Sequence, residues 1–414
     1  MFSWRKIIVP YLRIEKHVYM LILAQFSVQL IHAAFNILRN FFMLQKGYPD
    51  FEIAGFAAYN SIAITLVAFP LGLLIKGRKL KPLLTIATLA LPVLAISEIY
   101  AIDHHLDDLL RIIMLCWGFV HACLSATLTP YLLLNSNEST QSEVISLNFQ
   151  TGTIAMIVVG SSHFILSHSL PHIFTDRNFL YGTSLLGFSC LFFLFGLKKN
   201  EITSEKIPIS KAFSTYDWNK IFAALTPTLL IAIGAGLTIQ FINLFFESVH
   251  HVKSGTFAML GASTYILVAL GNFVIPYVRR KWGYHIAITG VQVLAILMLV
   301  GMASTEWYSD MWFALPLAFL FFIIRQPLMN VAGPATSELT MNYVGEKNRE
   351  LVSSLQASIW SGSWFFSAKI FQILRAADFN YSYILLITAL MYSIGVLYRD
   401  WETDRKSTRL NSSH

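Results

Sequence analysis

Arg325 stands in the run Arg325-Gln326-Pro327-Leu328-Met329-Asn330-Val331-Ala332-Gly333-Pro334, at the end of an apolar stretch that begins near Met311. About 14 residues inside that stretch, at 1.5 Å per residue, the guanidinium sits roughly 20 Å below one membrane face, near mid-bilayer. A charge at that depth is costly and is a functional candidate by default. Its planar fork of donors suits a carboxylate or another oxyanion. The competing reading is structural: a tie to Glu338 or Glu350, or to carbonyls freed by Pro327 and Pro334. An echo, His121-Ala122-Cys123-Leu124-Ser125-Ala126-Thr127-Leu128-Thr129-Pro130, lies 204 positions earlier and pairs His121 with Arg325 and Pro130 with Pro334. An imidazole titrates near neutral pH, so His121 could carry a coupling proton; packing is the alternative.

Other polar residues share helical faces with these. Gln25, Gln29, His32, Asn36 and Arg39 recur at spacings of four, three, four and three, which makes one stripe down one helix. Gln240, Asn243 and Glu247 form a shorter stripe, and the shift of 204 lays Gln240 and Asn243 on Asn36 and Arg39. Such stripes line a cavity or hydrogen-bond to neighbouring helices. Asn330 belongs with the Arg325 group, and Trp360 with Trp364 offers an aromatic wall or ordinary packing. Glu98 and Glu247 fall towards the outer ends of their apolar runs, so a buried acid for proton coupling is not evident. Asp103, His104, His105, Asp107 and Asp108 have metal-ligand chemistry but no ligand spacing, and read as a solvated acidic loop. Cys116, Cys123 and Cys190 lie in apolar runs and read as small buried hydrophobes, with no disulfide or zinc pattern.

The elements that must position these groups are transmembrane helices. The chain has 414 residues, 55% hydrophobic and only 13% charged, too apolar for an ordinary soluble protein. Its net charge of +7 comes from basic residues in short loops rather than a basic surface domain, which argues against nucleic acid. Helical runs are expected near 18–44, 51–75, 82–101, 109–134, 142–168 and 178–197, then 217–247, 254–278, 284–304, 311–334, 349–374 and 380–398. The division is therefore a tail 1–17, a six-helix bundle 18–197, a central loop 198–216 and a second six-helix bundle 217–398. Basic residues after the second, sixth and eighth spans place those loops and both termini in the cytoplasm. Residues 1–17 read as a retained tail rather than a signal peptide. Residues 399–414 break abruptly from the last span, resemble translated adapter sequence and are read as a non-native, disordered tail.

Twelve spans as six plus six, a parallel half-repeat and basic turns after spans two and eight resemble the major facilitator superfamily over Val18 to Tyr398. The loop motif of that family is partly kept. Gly72, Lys76, Arg78 and Lys79 occupy its first copy, with Lys76 where an aspartate belongs, and Arg280, Lys281 and Gly283 its second. The resemblance implies gating by these turns, a cavity lined by spans 1, 4, 7 and 10, and a secondary transporter rather than an enzyme. It also implies an integral plasma membrane protein, here of a bacterial inner membrane, that works as a monomer without cofactor; the coupling ion stays open. The favoured cargo is a small polar solute, anions included. The alternatives are efflux of amphipathic compounds, a multi-span membrane enzyme, or a transport-dead sensor.

Overall fold

The computed structural model describes residues 13–75, 79–137, 140–194, 217–344 and 349–411, and their regular structure is helical. Hydrocarbon offers the backbone no hydrogen-bond partners, so long apolar runs satisfy their own amides as helices. The elements are α1 (Lys16–Gln45), α2 (Asp50–Ile75), α3 (Lys81–Asp103), α4 (Asp107–Asn135), α5 (Gln141–Ser169), α6 (Asp176–Gly187), α7 (Cys190–Leu194), α8 (Trp218–Ile239), α9 (Ile242–His250), α10 (Ser254–Tyr284), α11 (Val291–Ser304), α12 (Ala314–Val344), α13 (Arg349–Ala376) and α14 (Tyr381–Asn411). A π turn, His285–Gly290, precedes α11, and a 3-10 turn, Thr305–Tyr308, follows it. Among the described residues, eight helical segments are long and apolar enough to cross a membrane. The chain is an integral membrane protein.

Several expected boundaries move. The run at 178–197 divides into α6 and α7, and the run at 217–247 into α8 and α9 on either side of Gln240 and Phe241. The helix carrying Arg325 does not stop at its prolines: α12 continues past Pro327 and Pro334 to Val344. A transmembrane helix tolerates proline when other groups satisfy the freed backbone. The basic turn near 280 is not a loop either. The chain stays helical through it and breaks only at Gly283, whose φ of +79° is open to glycine at no steric cost. Residues 399–411 extend α14 as helix, where the sequence suggests disorder.

The helices gather into two compact units. The first holds the chain to Tyr48, then from Tyr59 through the sixth apolar run, together with Ser254–Ala262. The second holds Pro49–Ala58, α8 and α9 to Lys253, and the chain from Ser263 onward. Thus the first turns of α2 and α10 each pack with the half of the sequence to which they do not belong.

Within the first unit α1 lies against α5, α6 and α7, and α3 against α4. Close approaches use glycine: a Cβ at Gly187 would collide with Ile31, and one at Gly160 would lie 2.5 Å from the Ala258 carbonyl oxygen. At one end Asp103 pairs with Lys46 at 2.5 Å and with Arg177, so this acid is buried in ion pairs while Asp108 stays exposed. Asp176 accepts from Gln45 and Ser254, both at 2.7 Å, and lies 3.0 Å from the buried His163. In the second unit α8 packs on α13 and α14, and Phe241 stacks on Phe371 with centroids 4.0 Å apart. Asp50 accepts from Arg375, at 3.0 Å from Nη2, and from Tyr381. Glu306 caps the start of α14 by accepting from the Tyr381 and Ser382 amides.

Candidate functional site

In the first unit the stripe on α1 converges with α3 and α4. His32 and Arg39 are seven residues apart, two helical turns, and so share a face. Facing them on α4, Trp117 and His121 are four apart. The His32 and His121 rings are 5.0 Å apart, and His32 meets Trp117 edge-on at 5.9 Å. Arg39 is clasped by Glu98 of α3: Nε donates to Oε1 at 2.5 Å and Nη2 to Oε2 at 3.1 Å. Its guanidinium carbon lies 5.1 Å from the Trp117 ring centroid and 5.3 Å from that of Phe35. Glu98 lies five residues from the end of α3, where the sequence places it, and is completely buried, so the bundle does contain a buried carboxylate. Two charges removed from water are tolerable here because the fork satisfies both carboxylate oxygens.

The rest of the stripe is more open. Asn36 and His121 are exposed, Gln25, Gln29 and His32 half-buried, and Gln29 lies beside Gly152 of α5. The structure therefore brings His32, Arg39 and His121 together and leaves Gln25 and Gln29 as a polar extension along α1.

In the second unit Arg325 is 1% exposed. Nη2 donates to the Tyr392 hydroxyl at 3.4 Å, Nη1 to Gln326 Oε1 at 3.2 Å, and the guanidinium carbon is 6.0 Å from the Tyr392 ring centroid. Its Nε has no hydrogen-bond partner, and among the described residues no carboxylate lies within ion-pairing distance. The tie to Glu338 fails on geometry. Thirteen residues along the same helix is about 20 Å. The side chains of Glu338 and Glu350 lie outside the described residues.

The second stripe does not mirror the first. Gln240 sits at the break between α8 and α9 and donates to the carbonyls of Gly236 and Trp364, both at 3.3 Å. Asn243 is buried, and its amide oxygen accepts from the Leu244 amide at 3.0 Å. Both therefore serve the backbone where the helix is interrupted. Asn330 is exposed and donates to the Gln326 carbonyl at 2.8 Å, back along its own helix. Trp360 is exposed, whereas Trp364 keeps a buried indole N–H without a partner.

Of the expected gating residues, Lys76 and Arg78 lie outside the described residues. Gly72 and Arg280 are helical, and Lys79 and Lys281 are exposed. Sequence reasoning missed the pairing of Glu98 with Arg39, and also Tyr392, Trp117 and the part-buried Lys369, which donates to Gln372 at 2.9 Å. Only Lys369 carried a one-dimensional signal, a lysine inside an apolar run. Among the described residues no cluster of three or more His, Cys, Asp or Glu side chains could hold a metal ion.

A helical membrane chain of two units, each with buried polar groups, is what the resemblance to the major facilitator superfamily implies, and the chain shares its fold with solved membrane transporters. The chain is similar to a bacterial homologue of the iron transporter ferroportin in the inward-facing state, with a TM-score of 0.71 at 13% identity over 93% of this chain and 98% of that one. The nucleoside transporter NupG gives 0.66 at 15% identity over 93% and 98%, and the D-xylose-proton symporter 0.69 at 11% over 93% and 97%. No family model and no curated protein sequence matches the chain.

Proposed function

We propose that this protein is a secondary transporter that carries a small anionic solute across the membrane by alternating access, with Arg325 supplying the charge that holds the anion. The observation that carries the reading is a guanidinium buried in an apolar helix with Nε unpartnered and no described carboxylate in reach. A cation left in that state costs several kcal/mol, on the order of the penalty for breaking a buried ion pair. A substrate oxyanion would repay it. Tyr392 and Gln326 hold the two terminal nitrogens and so fix the plane of the fork, leaving the Nε edge for the ligand. The transporter neighbours support the class, and the basic turns support cytoplasmic termini. The coupling ion is assigned to the proton.

The test has two stages. A thermal-shift screen of the purified protein against charged and neutral metabolites identifies the solute, since a site ligand stabilises by mass action. Uptake of that solute into proteoliposomes is then abolished by Arg325→Ala without loss of membrane insertion, and is partly kept by Arg325→Lys only where charge matters more than the fork. Wild-type uptake by the alanine variant refutes the assignment.

A further inference from the structure

We propose that Arg39 is a second anion-binding site, in the first unit, which Glu98 occupies as a resident counter-ion and gives up when it takes a proton. The proposal rests on the anion reading above, because a planar oxyanion is what either guanidinium would hold. Three features of the pair carry it.

The burial is lopsided. The Glu98 side chain has no exposure at all, whereas that of Arg39 keeps 18%. The carboxylate is wholly covered, while the Arg39 side chain keeps some exposed surface, one turn along α1 from the exposed Asn36.

The guanidinium also has support that does not depend on the acid. Phe35 and Trp117 lie within cation–π distance, 5.3 and 5.1 Å from their ring centroids. An Arg39 released by Glu98 therefore stays presented as a planar fork, the geometry that takes a carboxylate with two parallel hydrogen bonds.

The third feature is charge conservation. Arg39 and Glu98 together are neutral. A proton on a Glu98 oxygen ends its role as acceptor to Arg39 and leaves a buried, uncompensated cation. An anion arriving at Arg39 returns the site to zero: one proton and one negative ligand enter together, and nothing else changes charge. Each must then strengthen binding of the other by the same factor. The groups facing this exchange are Arg39 and His32 from α1 and His121 from α4, and Asp103, further along α3, is already held by Lys46 and Arg177. The corresponding positions of the second half carry no such pair. The shift of 204 puts Asn243 and Met302 where Arg39 and Glu98 stand.

The probe is sodium benzoate, a planar monocarboxylate, against sodium chloride at equal ionic strength. Thermal shifts of the full chain are read at mildly acidic and at neutral pH. Wild type is expected to bind benzoate more tightly at acidic pH. Glu98→Gln, a mimic of the protonated acid, is expected to bind at neutral pH about 10-fold or more tighter than wild type, within the usual range of coupling between sites, and without pH dependence. Arg39→Ala is expected to lose the pH-dependent component. Arg325→Ala keeps that component and loses the remainder, so the two readings fail separately. Should Glu98→Gln not accumulate, proton uptake by wild type on adding benzoate in weakly buffered solution gives the same answer. Absence of that uptake overturns the proposal, as does a Glu98→Gln protein that ignores benzoate or keeps wild-type affinity and pH dependence.

Discussion

Replacing Arg325 by methionine separates a residue kept for its ligand from one kept for the fold. An uncompensated buried charge costs about 3–5 kcal/mol. Against that stand two hydrogen bonds, to Tyr392 at 3.4 Å and Gln326 at 3.2 Å, both at or beyond the long end of the usual range. Hydrogen bonds to charged groups return about 1.5–3 kcal/mol each at good geometry, and these two fall at or below the lower figure. The two bonds together offset about 3 kcal/mol at most, so the net burden of Arg325 in the empty protein is at least on the order of 0–2 kcal/mol. Methionine fills much of the same volume with a flexible apolar chain and leaves one tyrosine hydroxyl and one amide to find other partners. Arg325→Met is therefore expected to be as stable as wild type or more so, by up to about 2 kcal/mol, while transport is lost. Thermal unfolding in detergent, followed by intrinsic fluorescence without added solute, measures the first effect, and proteoliposome uptake the second. A methionine variant about 1 kcal/mol or more less stable than wild type refutes the reasoning, because it would place Arg325 among the bonds that hold the bundle together.

Gly118→Ala is expected to lower stability by about 1–3 kcal/mol, the usual cost of overpacking, because its Cβ would overlap the Asn60 carbonyl oxygen, a backbone atom that cannot swing aside. Yield of folded protein by size-exclusion chromatography checks it, and an undiminished yield counts against the α2–α4 contact. Glu306→Gln is expected to cost roughly 0.5–2 kcal/mol, as other lost N-caps do, since Glu306 accepts from the first two amides of α14. Hydrogen exchange at Tyr381 and Ser382 should rise in that variant, and unchanged protection there would rule the cap out.

The α1 stripe was legible because helical periodicity alone puts Gln25, His32 and Arg39 on one side of a cylinder. What that side meets is decided by helices far away in the chain. Glu98 lies 59 residues from Arg39, and nothing one-dimensional says how α3 is rotated about its own axis. Tyr392 is likewise 67 residues from Arg325. In the second half Gln240 and Asn243 occur where the helix breaks, and their amides bond to the backbone of Gly236, Trp364 and Leu244.

By itself the sequence determined the solvent. Apolar runs long enough to cross hydrocarbon, with basic residues clustered towards their ends, leave helices as the available structure and expose Arg325 as an anomaly. Only the tertiary structure decided which charges are paired. Desolvation makes every buried ion seek a partner, and the partner is set by packing: Arg39 received Glu98, while Arg325 received a tyrosine hydroxyl and an amide, short of a full charge.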